Sequence, residues 1–392
     1  MKMAYVFQQD AANPTVQSGR PASLLREFEA LGVGVERIFP LAAAPSGAEL
    51  AKKAGYRLLG KHHRNDRHPA FLAALAGEFE ARARDRDFDF VFSPGSEAVS
   101  LLQTGRPVAF CADATFANLV DYYWDFTGLS AEYLRLGHAQ EAAALARATL
   151  AVYPSEWAAR SAVRDHGADP ARVLVIPFGA NHGCDNRRPE VDEWIERRPA
   201  DCIRLLFVGR HWERKGGDIV VAAAQCLIAF GHPVVLDIVG VDVPEPYRDL
   251  PWVRAHGLLS PGRAPDCARL EQLMREAHFM FVPSRAEAFG FIYAEANAFG
   301  VPAIATRTGG IPAAIRSGHN GVLLPPDAPA ADYAEAIVGL FNDRARYRAM
   351  CHRAFDEFEH RLNWRVFCRH FATAMEERLA PARAAETASR VA

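Results

Sequence analysis

Lysine is nearly absent from this 392-residue chain: of 45 basic residues only Lys2, Lys52, Lys53, Lys61 and Lys215 are lysines, which leaves forty arginines. After residue 61 a single basic position, 215, departs from arginine. Net charge is also scarce, at −2, so the whole molecule has no general attraction to nucleic acid. No apolar run approaches the roughly 20 residues that a membrane-spanning helix needs. The opening MKMAYVFQQD is too short an apolar run for a signal peptide and reads as a first strand. Seven cysteines include no C-x-x-C pair and no metal-ligand spacing with histidine, which points to free thiols in a reducing cytoplasm. Internal repeats and low-complexity blocks are missing too, apart from a bias toward Ala and Arg.

What is present is an ordinary globular composition, half hydrophobic and 23% charged, on a chain long enough for two domains. In the first half, strand signals over 4–8, 33–40, 88–93, 107–112, 151–155 and 172–177 alternate with helical ones over 21–31, 141–151 and 155–165. Gly32-x-Gly34 ends a helix instead of opening one and lacks a third glycine, so it is no dinucleotide fingerprint. The loop 13–20, with Gln17-Ser18-Gly19-Arg20, leads from the first strand into a helix, on the usual ligand-facing edge of an open parallel sheet. The strand over 107–112 ends at Asp113, which suits a helix N-cap or a hydrogen-bonding group. Residues 52–68 gather Lys52, Lys53, Arg57, Lys61, Arg64 and Arg67 among three histidines, either a solvated face or a surface for an anionic partner. A polar stretch over 182–201 marks a composition shift. The expected domains are 1–185, joined by a C-terminal helix over 360–380, and 200–360, with a frayed tail from 381.

The second half restarts the alternation, with strands over 203–208, 234–240, 252–256, 278–282 and 301–306. Two stretches carry chemistry. After the strand over 203–208 comes G-R-H-W-E-R-K-G-G-D, in which Arg210 and Lys215 stand on a glycine-bearing turn. A compact ammonium on a flexible stem suits a phosphate between two loops. After the strand over 278–282 comes PSRAEAFGFIYAEANAFGVPAIAT, with Glu287 in a loop and Glu295 in the second turn of a helix that opens near Gly290. Unpaired N–H groups at a helix start attract anions. A phosphate there would lie between two carboxylates able to bind hydroxyls, a description of a sugar nucleotide. Phe289, Phe291 and Tyr293 fit a core position better than a ligand contact, although the Gly290 and Phe291 amides are expected to face the ligand.

The E-x7-E spacing, set within PS-x-x-E-x-F-G and E-A-x-A-x-G-x-P, resembles the signature of retaining glycosyltransferases of family 4. That resemblance implies an α/β GT-B fold: two Rossmann-like domains facing a central cleft, with C-terminal helices crossing back to the first. It further implies transfer of a hexosyl group from a nucleotide-diphosphate sugar such as a UDP-sugar to a glycan, lipid-linked or small-molecule hydroxyl. Retention of configuration would follow front-face attack, with the leaving phosphate taking the acceptor proton. Arg210 and Lys215 would grip the diphosphate, and Glu295 the ribose. Glu287 would contact the sugar near its anomeric carbon, and the backbone near Leu258 the base. Gly19 would lie by the donor phosphates. With Arg210, Lys215 and the Gly290 helix start supplying positive charge, no metal and no other cofactor is expected. Where many members of this family place a histidine, this chain has Asp113, an acceptor-side group or base. The expected setting is cytoplasmic, peripheral to the inner membrane face through 52–68. Two other readings stay open, a GT-B sugar-nucleotide epimerase and a non-catalytic sugar-nucleotide-binding protein.

Overall fold

The computed structural model describes residues 1–44, 47–182 and 185–391, with side chains through 380. The chain divides into two compact units, Met1–Ile176 with Phe367–Ala392, and Pro177–Val366. Each is built on a six-stranded, all-parallel sheet.

In the first unit the strands are β1 (Lys2–Val6), β2 (Gly34–Ile38), β3 (Phe90–Ser93), β4 (Val108–Cys111), β5 (Leu150–Tyr153) and β6 (Val173–Val175), in the order β2-β1-β3-β4-β5-β6. The runs FVFS, VAFC and LAVY are buried throughout, as strands covered by helices on both faces must be. The strand order reverses between β1 and β3, so the loops leaving those two strands diverge and frame a crevice. The helix Arg20–Ala30 starts with Pro21 in its first turn and buries Leu24, Leu25 and Phe28. The Phe28 ring meets Phe92 and Phe371, each at 5.3 Å edge to face. Phe371 belongs to the last helix, Trp364–Val391, most of which lies in this unit. That helix runs on past 381, where a frayed tail is expected, because Ala, Arg and Glu there favour helix. The helix expected from 141 begins ten residues earlier, at Ala131, where Ser130 accepts a hydrogen bond from the Tyr133 N–H at 3.1 Å.

The second unit holds β7 (Ile203–Val208), β8 (Val234–Val239), β9 (Val253–Ala255), β10 (Phe279–Val282), β11 (Ala303–Thr306) and β12 (Gly321–Leu324), in the order β12-β11-β10-β7-β8-β9. Here the reversal falls between β7 and β10, which pair directly. The polar stretch after 182 is part of the second unit. It carries the helix Arg188–Arg197, whose Val191 and Ile195 are fully buried, a contribution of about 2 kcal/mol each. Among the described residues no helix is long and apolar enough to cross a membrane. Six cysteines are free thiols, and Cys184 lies outside the described residues.

Candidate active site

The loops after β7 and β10 meet at the switch point of the second sheet. The turn Trp212–Lys215 ends at Gly216, whose φ of 75° is left-handed and whose Cα leaves no room for a side chain: a Cβ there would lie 2.3 Å from the Pro283 carbonyl oxygen. This close approach sets Lys215 against the Glu287 loop. The Lys215 ammonium donates directly to Glu287 Oε2, and Arg214 Nη1 lies 3.6 Å from the same oxygen. Both partners of the pair are buried, at 8% exposure each.

Further bonds hold the two loops in register. The Arg285 N–H donates to the Arg214 carbonyl at 2.8 Å, and Arg214 Nη1 to the Ala286 carbonyl at 2.9 Å. Arg285 forks onto Asp218, with Nη1 2.8 Å from Oδ1 and Nη2 2.7 Å from Oδ2. From the loop after β11, the Gly310 N–H donates to the Glu287 carbonyl at 3.0 Å.

Gly290 precedes the helix Phe291–Asn297 with φ 85°, and a Cβ there would lie 2.4 Å from the Tyr293 ring. Like any helix start, it leaves the first amide N–H groups without helical carbonyl partners. Tyr293 anchors the helix by donating to the Val282 carbonyl at 2.8 Å, the last residue of β10. Glu295 is 8% exposed, and its carboxylate has no hydrogen-bond or ion-pair partner among the described residues.

Not every expected residue contributes a side chain. Phe289, 1% exposed, packs with Phe178 (5.5 Å) and Phe291 (5.7 Å), while Phe291 also faces Trp364 (6.1 Å). The Phe289 ring therefore forms core, and the half-buried Phe291 ring packs on its edge. Arg210 is exposed at the turn, and Leu258 is 57% exposed in the loop after β9. The Gly240 N–H binds the Gly257 carbonyl at 2.7 Å, which ties that loop to the end of β8.

The switch point of the first sheet has its own cluster. Gln17 (φ 45°), Ser18 (φ 58°) and Gly19 (φ 85°) are three consecutive left-handed residues. The two that are not glycine cost about 1–2 kcal/mol each, a strain typical of functional loops. Arg20 follows, 4% exposed, and donates from Nη2 to the Pro94 carbonyl at 2.8 Å, joining the loops after β1 and β3. Its Nη1 lies 3.6 Å from Asp113 Oδ1, on a carboxylate whose side chain is 48% exposed. Asp113 is not the helix cap: Thr115 takes that part, accepting from the Asn118 N–H at 3.2 Å.

The basic run over 52–68 divides. Arg67 and His63 are buried, against the expectation of one exposed surface. Arg67 pairs with Glu97 at 3.0 Å and lies 3.6 Å from Glu141, and His63 Nδ1 bonds to the Ser130 hydroxyl at 2.8 Å. Burial pushes the Glu141 carboxyl up to about 6 against the pull of Arg67. Lys52, Lys53, Arg57 and Lys61 remain exposed, beside the exposed side chains of Leu50, Leu58 and Leu59.

Among the described residues no cluster of three or more His, Cys, Asp or Glu could hold a metal ion. The run Asp85-x-Asp87-x-Asp89 precedes β3, at the end of the first sheet away from its switch loops, and Asp89 accepts the Lys2 N–H at 2.7 Å.

Arg20, Arg214 and Arg285 are functional candidates that sequence reasoning missed. Two of them flank motif residues already singled out, Gly19 and Lys215, and that adjacency is the signal available in the sequence.

The family model described as Glycosyltransferase Family 4 matches residues 22–183, and that described as Glycosyl transferases group 1 matches residues 202–343. The chain is similar to a D-inositol 3-phosphate glycosyltransferase of Acidothermus cellulolyticus, 34% identical over 205 residues, which are 48% of this chain and 44% of that protein. A D-inositol 3-phosphate glycosyltransferase of Catenulispora acidiphila is 34% identical over 226 residues, 54% of this chain and 53% of that protein. The chain thus spans about half the length of the curated relatives it matches. Among solved structures, sucrose-phosphate synthase from Thermosynechococcus elongatus superposes with a TM-score of 0.72 at 19% identity, over 97% of this chain and 100% of that one. HepE of Anabaena, in complex with UDP and glucose, gives 0.60 at 17% identity, over 95% and 99%. At these identities the likeness fixes the fold, the two-domain α/β GT-B architecture.

Proposed function

We propose that this chain, which belongs to glycosyltransferase family 4 and has the GT-B fold, moves a sugar from a nucleotide-diphosphate donor to an acceptor hydroxyl. The observation that carries the reading is the meeting of Lys215 and Glu287 at the switch point of the second sheet, where the helix that carries Glu295 also begins. Ligands of open parallel sheets bind outside the carboxyl ends of the strands at that point.

Breaking the bond between the anomeric carbon and the phosphate oxygen leaves negative charge on the diphosphate. Lys215 and Arg210 carry the opposing charge, and the amides of Gly290 and Phe291 add oriented N–H groups. Charge placed in advance where charge develops is the strongest single source of rate enhancement. The acceptor hydroxyl attacks the anomeric carbon from the same face, and its proton passes to the departing phosphate oxygen, so configuration is retained. Glu287, fixed by Lys215 and Arg214, contacts the donor sugar in this reading. Glu295 binds the ribose hydroxyls, and the backbone at Leu258 contacts the base. With Lys215 and Arg210 opposing the charge of the leaving group, a divalent metal is not required.

On the first sheet, Gly19 and Asp113 form the acceptor-side edge. Arg20 lies beside Asp113, and the relatives named above carry a phosphorylated polyol in their names, which favours an anionic acceptor. Lipid-linked acceptors are served if Lys52, Lys53 and Arg57 dock on anionic lipid, with Leu50, Leu58 and Leu59 entering the interface.

The test is incubation with UDP-, GDP- and ADP-sugars, with and without an acceptor extract and with EDTA. Nucleoside diphosphate should form only with acceptor and independently of EDTA, and the product should keep the donor's anomeric configuration. Epimerised donor formed without acceptor would establish the epimerase reading. Donor binding with no turnover under any condition would establish the non-catalytic one.

A further inference from the structure

The opposite end of the second sheet carries charge that this reaction does not use. A cavity of about 380 Å³ opens near the starts of β7 and β10, lined by Trp194, Arg197, Arg198, Arg204, Arg275 and Glu276. Arg204 pairs with Glu276 at 2.6 Å, Arg275 with Glu271 at 2.9 Å, and Arg197 with Glu193. Arg198 has no carboxylate among the described residues. At 3% exposure it donates to the carbonyls of Gly300 (2.8 Å) and Phe299 (2.9 Å) and to the Tyr347 hydroxyl (3.2 Å). Arg344, which reaches the Arg198 carbonyl at 3.4 Å, has no ion pair there either.

Two nitrogens of the lining arginines, Nε of Arg204 and Nε of Arg275, are buried with no hydrogen-bond partner among the described residues. The local field is positive enough to register on a neighbour. His278, fully buried, is pushed down to about 3 by burial first and then by Arg198, Arg344 and Arg204. Trp194 supplies an apolar wall: its ring stacks on Phe299 at 5.8 Å and lies under the Arg275 guanidinium at 4.9 Å.

We infer that this cavity is a second anion site, built for a phosphomonoester dianion and separate from the donor edge at Lys215. Guanidinium forks match phosphate oxygens in pairs, and a dianion offsets the charge left on Arg198. The cavity is larger than a bare phosphate requires, and Trp194 leaves an apolar side for an organic group.

The full chain would be titrated calorimetrically with inorganic phosphate and with glucose 6-phosphate at about 150 mM salt, where nonspecific surface binding is screened. Binding with Kd below about 1 mM is expected. Arg204→Gln and Arg275→Gln should each weaken it by about tenfold. Arg197→Gln, at an exposed position that folding does not need, should weaken it by about threefold. Lys215→Met and saturating UDP should leave it unchanged. Tighter binding of glucose 6-phosphate identifies an organic phosphate as occupant, and equal binding identifies free phosphate; both support the site. No heat with either probe overturns it, as does binding that survives in the folded Arg204→Gln/Arg275→Gln double variant or vanishes when UDP is added.

Discussion

Replacing Lys215 by Met removes the ammonium that faces Glu287 while keeping most of the apolar stem. The two side chains are 11% and 10% exposed, so the carboxylate left behind has little access to water. Breaking a buried ion pair from one side costs about 3–5 kcal/mol. Arg214, 3.6 Å from the same carboxylate oxygen, is a second cation that takes up part of that loss. The expected destabilisation is therefore about 2–3 kcal/mol for Lys215→Met, with a smaller loss for Glu287→Gln, which strands an ammonium able to turn toward solvent. The double variant leaves only Arg214 without its carboxylate neighbour and should be more stable than the sum of the single losses by about 1–2 kcal/mol. Urea unfolding of the four proteins near neutral pH, followed by circular dichroism, gives the cycle. Single variants within about 0.5 kcal/mol of wild type, or strict additivity in the double, would refute the buried pair. In turnover assays both single variants should lose about a hundredfold or more.

Three other perturbations follow from the same geometry. Gly290→Ala must adopt a left-handed φ and meet the Tyr293 ring, so it should cost about 2–4 kcal/mol; an unchanged melting temperature would count against the described helix start. Asp218→Asn releases Arg285 from a half-exposed bridge, so stability should fall by less than about 1 kcal/mol. The donor KM should nevertheless rise about three- to tenfold as the Lys215 turn loosens, and an unaltered KM contradicts that positioning role. His278 accepts the Arg204 N–H at Nδ1 (3.0 Å) and donates from Nε2 to the Pro199 carbonyl (2.8 Å), so the fold holds it neutral. Its folded value near 3 lies below the ordinary 6.5, so the unfolded chain binds the extra proton between those limits. Its contribution is complete above 6.5 and is lost as pH falls, by roughly 2 kcal/mol at pH 5. His278→Gln should flatten the fall in urea midpoint between neutral pH and that point; an identical slope would show that His278 is not responsible.

The parts of the site legible in the sequence are those encoded locally. The E-x7-E spacing places Glu287 and Glu295 around one helix start, and the strand-to-turn position of Lys215 places it at the same sheet edge. Arg285 was not legible, because its partner Asp218 lies 67 residues away and its role exists only once β7 and β10 pair. Arg67 was misplaced for the matching reason: a charge run looks solvated until Glu97 and Glu141 fold over it. The helix Arg188–Arg197 was hidden by its charged face, since only Val191, Trp194 and Ile195 mark the buried side.

Calorimetric titration of UDP against wild type, Lys215→Met and Glu295→Gln bears most directly on the claim that the second sheet's switch point is a nucleotide-diphosphate site. Wild type should bind UDP in the micromolar range. Lys215→Met should weaken UDP by about a hundredfold while leaving uridine unaffected, and Glu295→Gln should weaken both by about tenfold. If no nucleoside diphosphate binds wild type when UDP, GDP and ADP are each tried, or if Lys215→Met binds the wild-type ligand with wild-type affinity, the account is contradicted.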